Sequence, residues 1–293
     1  MSAGSMPLLI ADVPWLLYRS YFGLPRSIVG VDGQPVNALL GTVNALLAVL
    51  DERPARAVVA CIGAEQAAYR VRLYPRYHAH REPMPAQLRA QWTRAPALLG
   101  SLGWTICDAG ELEADDAMFS HARAESEAGG EALLLTADRD LYQAVGEHVK
   151  IVELAKGRVA GEIGPAQVRE RYEGIGAELV PDLIALRGDP SDGLPGAPGI
   201  GVKTAAELLL RHGSLEDVLA AAESNDRAIR PRAAATLREH ADLLRAFKLI
   251  ATLQRIDIAP PADRATDFAG GARMARELGM KRLAERLEQV ARA

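Results

Sequence analysis

The chain of 293 residues alternates between short apolar runs and longer amphipathic stretches over its first half. Short apolar runs are typical of buried strands, whereas apolar positions spaced three and four apart are typical of helices. This pattern predicts strands at residues 8–12, 57–62, 104–107, 133–135 and 149–154, and helices at residues 38–50, 97–102 and 114–128. Strands separated by helices predict an α/β fold with a mostly parallel central sheet that is flanked by helices on both faces.

The pattern changes to helices alone from about residue 177. A Pro- and Gly-rich interval at residues 188–201 separates a helix at residues 181–186 from one that begins near residue 203, and a charged amphipathic helix is predicted from residue 274. We therefore expect a disordered leader at residues 1–6, an α/β core at 7–176 with a basic segment at about 64–97, a helical domain at 177–260 and a helical tail at 261–293.

The amino-acid composition indicates a large globular protein. With 49% hydrophobic residues, the chain can bury a large core. Its two cysteines, Cys61 and Cys107, predict free thiols in a reducing cytosol rather than a disulfide. No apolar stretch approaches the roughly 18 residues that span a bilayer. We therefore expect a cytoplasmic protein without a membrane partner.

Acidic side chains follow the predicted strands and open the predicted helices. Carboxylates at the carboxyl ends of parallel strands meet at one edge of a sheet, where open α/β folds place their chemistry. Such oxygen ligands suit hard cations, so this pattern predicts a site for Mg²⁺ or Mn²⁺. The eight candidate ligands are Asp12, Glu113, Asp115, Asp116, Asp138, Asp140, Asp189 and Asp192.

Each acidic cluster also has an ordinary structural explanation. Acids at residues 113–116 are favoured at a helix N-terminus by capping and by the helix dipole. Asp138 and Asp140 could belong to a strand-to-helix turn, and Asp12 could be a lone acid after a strand. The occurrence of such acids in four separate clusters favours the metal site.

The segment at residues 65–94 is rich in arginine and aromatic residues, although the whole chain has a net charge of −4. Setting the eight candidate ligands aside leaves the remaining surface net positive. Guanidinium groups suit phosphates and aromatic rings suit unpaired bases, so the segment predicts single-strand binding. A solvated helical face is the alternative. The interleaved residues are Arg70, Arg72, Arg76, Arg81, Arg89 and Arg94 with Tyr69, Tyr74, Tyr77 and Trp92.

Gly199 and Gly201 flank one apolar residue directly before a predicted helix. Free backbone N–H groups in such a turn can meet a phosphate without obstruction by side chains. No strand precedes the pair, and Thr204 replaces the third glycine of the dinucleotide-binding motif, so we expect no nucleotide cofactor. A helix-hairpin-helix that holds a duplex backbone fits better, with Lys203 nearby. A plain tight turn between helices is the alternative.

These motifs resemble those of the structure-specific 5′-nucleases, which include flap endonucleases and the N-terminal 5′-exonuclease domain of bacterial DNA polymerase I. The likeness covers residues 8–253 and implies a stand-alone nuclease with a PIN-like core and a helix-hairpin-helix domain. The most specific pieces are residues 113–116, 136–143 and 188–196 leading into 199–201, with support from residues 18–20 and 33–37.

The resemblance implies two adjacent metal sites, one formed by Asp12, Glu113, Asp115 and Asp116 and the other by Asp138, Asp140, Asp189 and Asp192. Two ions roughly 4 Å apart can activate a water and stabilise the leaving oxygen. The implied activity is 5′-3′ exonuclease and flap endonuclease cleavage of DNA at 5′ flaps, nicks or free 5′ ends, giving 5′-phosphate and 3′-hydroxyl products.

The family's arch implies catalytic roles for Arg70, Arg81 and His78 and DNA contacts for Arg72, Arg76 and Tyr77. Gly199, Gly201, Lys203 and Thr204 would hold the duplex, with K⁺ at the hairpin. A monomer associated with the nucleoid and active in replication and repair is expected.

Three positions depart from the family pattern. Gly63 stands where the family has an Asp ligand, which water or Glu65 would have to replace. His78 stands where the family has Lys, and a mostly neutral imidazole holds phosphate less well. Val13 stands where the family has Gly. These departures leave a second hypothesis, a catalytically weak protein that binds DNA junctions. A related ribonuclease is a third, disfavoured by the hairpin module.

Overall fold

The computed structural model describes residues 6–292. Apart from Met6, the expected disordered leader lies outside the described residues. No helix within this range is both long enough and apolar enough to cross a membrane.

A sheet of six strands in the described part of the chain organises the first half. The strand order is β3-β2-β1-β4-β5-β6; the first five strands run parallel, and β6 pairs antiparallel with β5. The predicted mostly parallel sheet is therefore confirmed. The strands are β1 (Leu8–Asp12), β2 (Ala57–Ile62), β3 (Thr105–Asp108), β4 (Ala132–Leu135), β5 (Val149–Ala155) and β6 (Arg158–Ile163).

Helices cover both faces of the sheet because the strands are apolar on both sides. In β1, Leu8 and Ile10 belong to one apolar cluster and Leu9 and Ala11 to the other. The helices of this half are α1 (Val13–Gly23), α2 (Asn37–Glu52), α3 (Ala68–Leu73), α4 (Ala86–Ser101), α5 (Ala114–Glu127) and α6 (Pro165–Arg171), with 3₁₀ turns at Asp140–Ala144 and Ala177–Leu179.

The following helices share the apolar cluster on the α5 face of the sheet, where Phe247 and Leu209 are completely buried. They are α7 (Val180–Arg187), α8 (Val202–His212), α9 (Leu215–Glu223), α10 (Pro231–Glu239) and α11 (Ala241–Ala251). The Pro- and Gly-rich interval lies between α7 and α8, as the sequence predicts.

The last two helices, α12 (Phe268–Glu277) and α13 (Lys281–Arg292), return to the opposite face of the sheet. Leu283 and Leu287 are buried there with the side chains of α2 and α4. The chain leading to them is fixed by a hydrogen bond from Asp267 N to the Leu102 carbonyl oxygen (2.7 Å). The end of the chain thus completes the layer that its beginning starts.

Candidate active site

Acidic residues from separate segments converge at the carboxyl edge of the sheet. Asp12 is the last residue of β1, and Asp138 and Asp140 follow β4, which is the neighbour of β1 in the sheet. Glu113 and Asp115 lie at the start of α5, which packs against both strands. Asp12, Glu113, Asp115 and Asp138 line the same cleft.

A short hairpin between α7 and α8 brings in Asp189 and Asp192. Asp189 and Leu194 exchange two backbone hydrogen bonds of 2.8 Å, which close the turn that carries Asp192. Gly188 (φ +81°) and Gly196 (φ +65°) permit this path. A Cβ on Gly196 would lie 2.3 Å from the backbone nitrogen of Gly188, so no larger residue fits there without a shift of the backbone.

The negative charges of the acids act on one another and shift their pKa values. Burial, followed by the negative charges of Asp138 and Asp12, raises the pKa of Asp115 well above its usual range. Burial and the charges of Asp138, Asp192 and Asp189 do the same to the pKa of Asp140. Burial raises the pKa of Asp12 to about 6 and that of Asp138 to about 7. The cluster is therefore short of positive charge.

Two carboxylates are left without an internal partner. Among residues 6–292, nothing donates a hydrogen bond to, or forms an ion pair with, the side chains of Asp115 and Asp140. Asp12, by contrast, is fixed by Trp15 N (2.9 Å) and Thr136 Oγ1 (2.7 Å). Free carboxylate oxygens beside fixed ones are the donor set that a hard cation requires.

The acidic side chains stand apart from one another rather than forming a closed ligand set. Within the described range, no three His, Cys, Asp or Glu side chains are grouped so that they could hold a metal ion. Two of them pair with arginines instead: Asp189 lies 3.5 Å from the Arg187 guanidinium, and Asp192 lies 3.3 Å from that of Arg81. A bound cation would have to pull these carboxylates inward.

Asp116 does not share the position of the other acids. It is completely buried, and its carboxylate accepts hydrogen bonds from the backbone nitrogens of Glu113 (3.1 Å) and Gln254 (2.7 Å) and from Arg70 (2.9 Å). Its oxygens are thus occupied by a helix cap and a contact with the helical domain. The expected role of Asp116 as a metal ligand is not supported by this geometry.

Arg70 and Tyr77 also lie inside the protein rather than on a DNA-facing surface. The Arg70 guanidinium pairs with Glu113 (2.9 Å) and Asp116 (2.9 Å) and donates to the Ile250 carbonyl oxygen (3.1 Å). The Tyr77 hydroxyl donates to Glu113 (3.1 Å). Arg70 therefore holds Glu113 in place rather than meeting a phosphate, and Tyr77 does not contact DNA in this arrangement.

His78 and Arg81 lie at the cleft and contact Asp192. The His78 ring nitrogen Nε2 is 2.9 Å from Asp192 Oδ1, and Arg81 Nη2 is 3.3 Å from the same oxygen. The side chain of Arg81 is 47% exposed, whereas His78 is buried. Arg72 and Arg76, the expected DNA contacts of the same segment, are exposed.

An aromatic cleft of about 650 Å³ opens from the acidic cluster. Tyr18 stacks on Phe22 at 6.3 Å and meets Trp92 edge to face at 6.4 Å, while Trp15 lines the same wall. Phe22 is 64% exposed, which is unusual for so large an apolar side chain. The sequence analysis found Trp92, which lies among the arginines of residues 65–94. It missed Trp15 and Phe22, because they lie outside that segment and are not acidic.

Thr136 is a third residue that sequence reasoning missed as part of the site. Its hydroxyl donates to Asp12 and accepts from the backbone nitrogen of Asp138 (3.0 Å), so it joins the ends of β1 and β4. A hydroxyl residue directly after the apolar run of β4 was the available signal.

The Gly199–Gly201 turn lies at the start of α8, shortly after the hairpin that carries Asp189 and Asp192. Gly201 is the N-cap residue, and no side chain caps the first turn of the helix. A Cβ at either glycine would meet no atom within 4 Å, so the turn faces open space. Lys203 is exposed, and Thr204 lines a groove with Arg211 and Arg230.

Gly63 is enclosed by the backbone that carries Glu113. A Cβ at this position would lie 2.5 Å from the Leu112 carbonyl oxygen and 2.9 Å from Ala114 N. An Asp ligand could not be accommodated here without moving this segment. Glu65, the expected substitute, lines the cleft but pairs with Arg89 at 3.1 Å.

Comparison with known families decides the relationship. Residues 7–173 match the 5'-3' exonuclease, N-terminal resolvase-like domain, and residues 175–265 match the 5'-3' exonuclease, C-terminal SAM fold. The chain belongs to the 5'-3' exonuclease family. It is a nuclease by this membership, and the resemblance seen in the acidic motifs is confirmed.

The relatives include separate 5'-3' exonucleases and the corresponding part of a DNA polymerase I. A 5'-3' exonuclease of Mycobacterium tuberculosis is 33% identical over 312 residues, covering 97% of both chains. One of Streptomyces coelicolor is 38% identical over 231 residues, 73% of this chain and 75% of the relative. The thermostable DNA polymerase I of Thermus thermophilus is 35% identical over 96% of this chain, which corresponds to 32% of that polymerase.

Solved structures share the fold of this 5'-3' exonuclease family member. One is a flap endonuclease of bacteriophage T5 in a complex with DNA and metal ions. Its superposition on this chain has a TM-score of 0.68 at 15% sequence identity and spans 98% of this chain and 100% of the T5 protein. Another is human GEN1 in complex with Holliday junction DNA. Its superposition has a TM-score of 0.68 at 13% sequence identity and spans 98% of this chain and 71% of the GEN1 chain.

Proposed function

We propose that this nuclease hydrolyses DNA at 5′ flaps, nicks and free 5′ ends with the help of divalent cations, leaving a 5′-phosphate and a 3′-hydroxyl. The observation that carries the proposal is the cluster of mutually repelling carboxylates at the carboxyl edge of the sheet, two of which have no partner among residues 6–292. Such a cluster would repel a DNA strand unless its charge were compensated.

The oxygen donors support two cation positions. Asp12, Glu113 and Asp115 lie on the α1 and α5 side of the cleft, and Asp138, Asp140, Asp189 and Asp192 lie on the hairpin side. Mg²⁺ and Mn²⁺ both suit such a set. When bound, the cations would lower the pKa of an attacking water and stabilise the leaving 3′ oxygen.

The residues of the chain itself would position the substrate. Arg81 is the cation best placed to meet the transferring phosphate, because it is half-exposed beside Asp192. His78 would orient Asp192 through the contact at Nε2. Thr136 and the Trp15 backbone would keep Asp12 fixed, so that its carboxylate does not turn away from the cleft.

The strand would be held on both sides of the cut. Trp15, Tyr18, Phe22 and Trp92 offer ring faces on which unpaired bases can stack. Arg72 and Arg76 would contact the phosphates of the same strand. The free N–H groups of the Gly199–Gly201 turn, with Lys203 and Thr204, would hold the duplex backbone without reading its sequence, and K⁺ binding at that turn is part of the proposal.

The test is cleavage of a 5′-labelled flap duplex with Mg²⁺, Mn²⁺ or a chelator, using wild type and Asp138→Ala. Wild type should cut only with a divalent cation, and Asp138→Ala should lose roughly 100-fold or more in rate. Asp51→Ala, at an exposed acid on α2, is the matched control and should cut like wild type.

A different result would select the other function. If wild type and Asp138→Ala both bind the flap with equal affinity and neither cuts it under any cation, the protein is a junction binder. Cleavage of an RNA panel in preference to DNA would overturn the substrate assignment while leaving the chemistry in place.

A further inference from the structure

The two cysteines lie side by side on neighbouring strands. Cys61 of β2 and Cys107 of β3 are register partners in the parallel pair. Both belong to or pack against the apolar cluster on the α5 face. Parallel neighbours lie roughly 4.8 Å apart, which falls within the range of about 4.4–6.8 Å between Cα atoms that a disulfide spans. The two thiols are free in this structure.

A buried histidine faces this pair without a partner of its own. His121 of α5 is 5% exposed, and neither ring nitrogen has a hydrogen-bond partner among the described residues. Helix α5, which carries it, packs against β2 and β3, the two strands that carry the cysteines. A buried imidazole is rarely left unsatisfied, so this position points to a chemical role.

The environment makes the two sulfurs unequal. The Cys61 thiol and the His121 imidazole lower the pKa of Cys107 to about 5, against the opposing effects of burial and of Asp108. Cys107 is half-buried on the edge strand, whereas Cys61 is fully buried. One partly exposed thiol with a lowered pKa beside one buried thiol is the arrangement of a reactive and a resolving cysteine.

The pair borders the acidic cleft without lining it. Cys61 is the register partner of Asp12 in the parallel pair of β1 and β2, but neither cysteine nor His121 is among the residues that line the cleft.

We propose that Cys107 and Cys61 form a hydroperoxide-sensitive pair that closes to an intrachain disulfide, with His121 as the proton acceptor of Cys107. The Cys107 thiolate attacks one peroxide oxygen, so that an S–O bond forms and the O–O bond breaks. The departing hydroxide takes the proton from His121 and leaves as water.

Cys61 then completes the reaction. Its sulfur attacks the sulfenic sulfur of Cys107, so that the S–S bond forms and the S–O bond breaks. The departing hydroxide takes the Cys61 proton and leaves as the second water. The two sulfurs lose two electrons in total, and these reduce one hydrogen peroxide to two waters. The pair needs neither the carboxylates nor DNA.

The test treats the reduced full chain with one equivalent of hydrogen peroxide at pH 6 in the presence of a chelator, followed by alkylation and mass spectrometry. Both thiols should disappear together in the monomer and return with a reductant. Reaction should be at least about 10-fold faster than in the urea-unfolded chain, because an ordinary cysteine is only about 0.3% thiolate at this pH.

Single variants separate the roles. Cys61→Ser should stop at a sulfenic acid on Cys107 that dimedone traps, and Cys107→Ser should leave Cys61 unreacted. His121→Gln should react roughly 10-fold more slowly at pH 6 and recover at pH 9, where the thiolate forms without help. A folded wild type that reacts no faster than the unfolded chain, or only dimers linked between chains, would overturn the proposal. Equal rates for His121→Gln and wild type at pH 6 would remove His121 from it.

Discussion

The guanidinium of Arg70 neutralises Glu113 and Asp116 in the interior, at a point where α3, α5 and α11 meet. Removal of one member of a buried ion pair leaves an uncompensated charge, which costs about 3–5 kcal/mol. Arg70→Met should lower the free energy of unfolding by this amount. Urea denaturation measures it.

Arg72→Met supplies the matched control, since Arg72 lies on the same helix but is exposed. Its unfolding free energy should stay within about 0.5 kcal/mol of wild type. Equal stability of the two variants would mean that Arg70 is not a structural residue and that its expected phosphate contact should be reconsidered.

Gly63 offers a second prediction for a single residue. Gly63→Ala should cost about 1–3 kcal/mol, because its Cβ would press on the Leu112 carbonyl oxygen and displace the segment that carries Glu113. Flap cleavage should fall with it. Gly146→Ala, which meets no atom within 4 Å, should change neither quantity. A Gly63→Ala variant as stable as Gly146→Ala would contradict the close approach.

The sequence marked eight acids as candidates but could not tell which of them face the cleft. Asp115 and Asp116 are adjacent on a helix, so about 100° separates their side chains and only one can point to the cleft. The capping box of α5 assigns Asp116 to the backbone and leaves Asp115 free. The choice depends on Gln254 and Arg70, which are distant in sequence and give no local signal.

Among the elements, the hairpin between α7 and α8 has the strictest backbone requirement. Gly196→Ala would combine a strained positive φ with a Cβ 2.3 Å from Gly188 N. We expect a loss of about 2–3 kcal/mol in stability, more than strain alone would cost, and weaker flap cleavage because Asp189 and Asp192 would move. Thermal unfolding and initial rates measure the two effects.

Gly157→Ala tests whether strain alone explains the result. Gly157 also has a positive φ (+79°), but a Cβ there meets no atom within 4 Å. This variant should lose about 1 kcal/mol and keep its cleavage rate. Equal losses in the two variants would mean that the close approach at Gly196 contributes nothing.

The parallel strands and helices α2, α5, α7 and α8 were predictable because each has a clear apolar period. Strand β6 was not predicted, since Arg158–Ile163 lies at the sheet edge, is only partly buried and contains Gly161. The amphipathic pattern from residue 274 predicted a helix but not its contact surface. That surface is formed by Leu102 and residues of α2 and α4, which only the folded chain brings near.

For the molecule as a whole, the raised pKa values of the acids predict a pH-dependent stability. The folded chain binds more protons than the unfolded chain between about pH 4 and 7, because the pKa of Asp12 is raised to about 6 and that of Asp138 to about 7. Stability therefore falls as pH rises through this window. The melting temperature in a chelator should be lower at pH 8 than at pH 5.5.

A variant of Asp138 and the addition of Mg²⁺ test whether the acidic cluster causes this dependence of stability on pH. Asp138→Asn should flatten the dependence on pH, and Mg²⁺ should raise the melting temperature more at pH 8 than at pH 5.5, because protonated carboxylates do not bind it. A melting temperature that rises with pH in the chelator, or an unchanged slope in Asp138→Asn, would contradict the raised pKa values.

The return of α12 and α13 has a consequence for synthesis on the ribosome. Leu9 and Leu46 emerge early, but Leu283 and Leu287, which share their apolar cluster, are translated last. At about 5–20 residues per second, roughly ten seconds pass between the end of the sheet and the arrival of these leucines. Throughout that interval, the part of the apolar surface that α12 and α13 later cover stays exposed to solvent on the nascent chain.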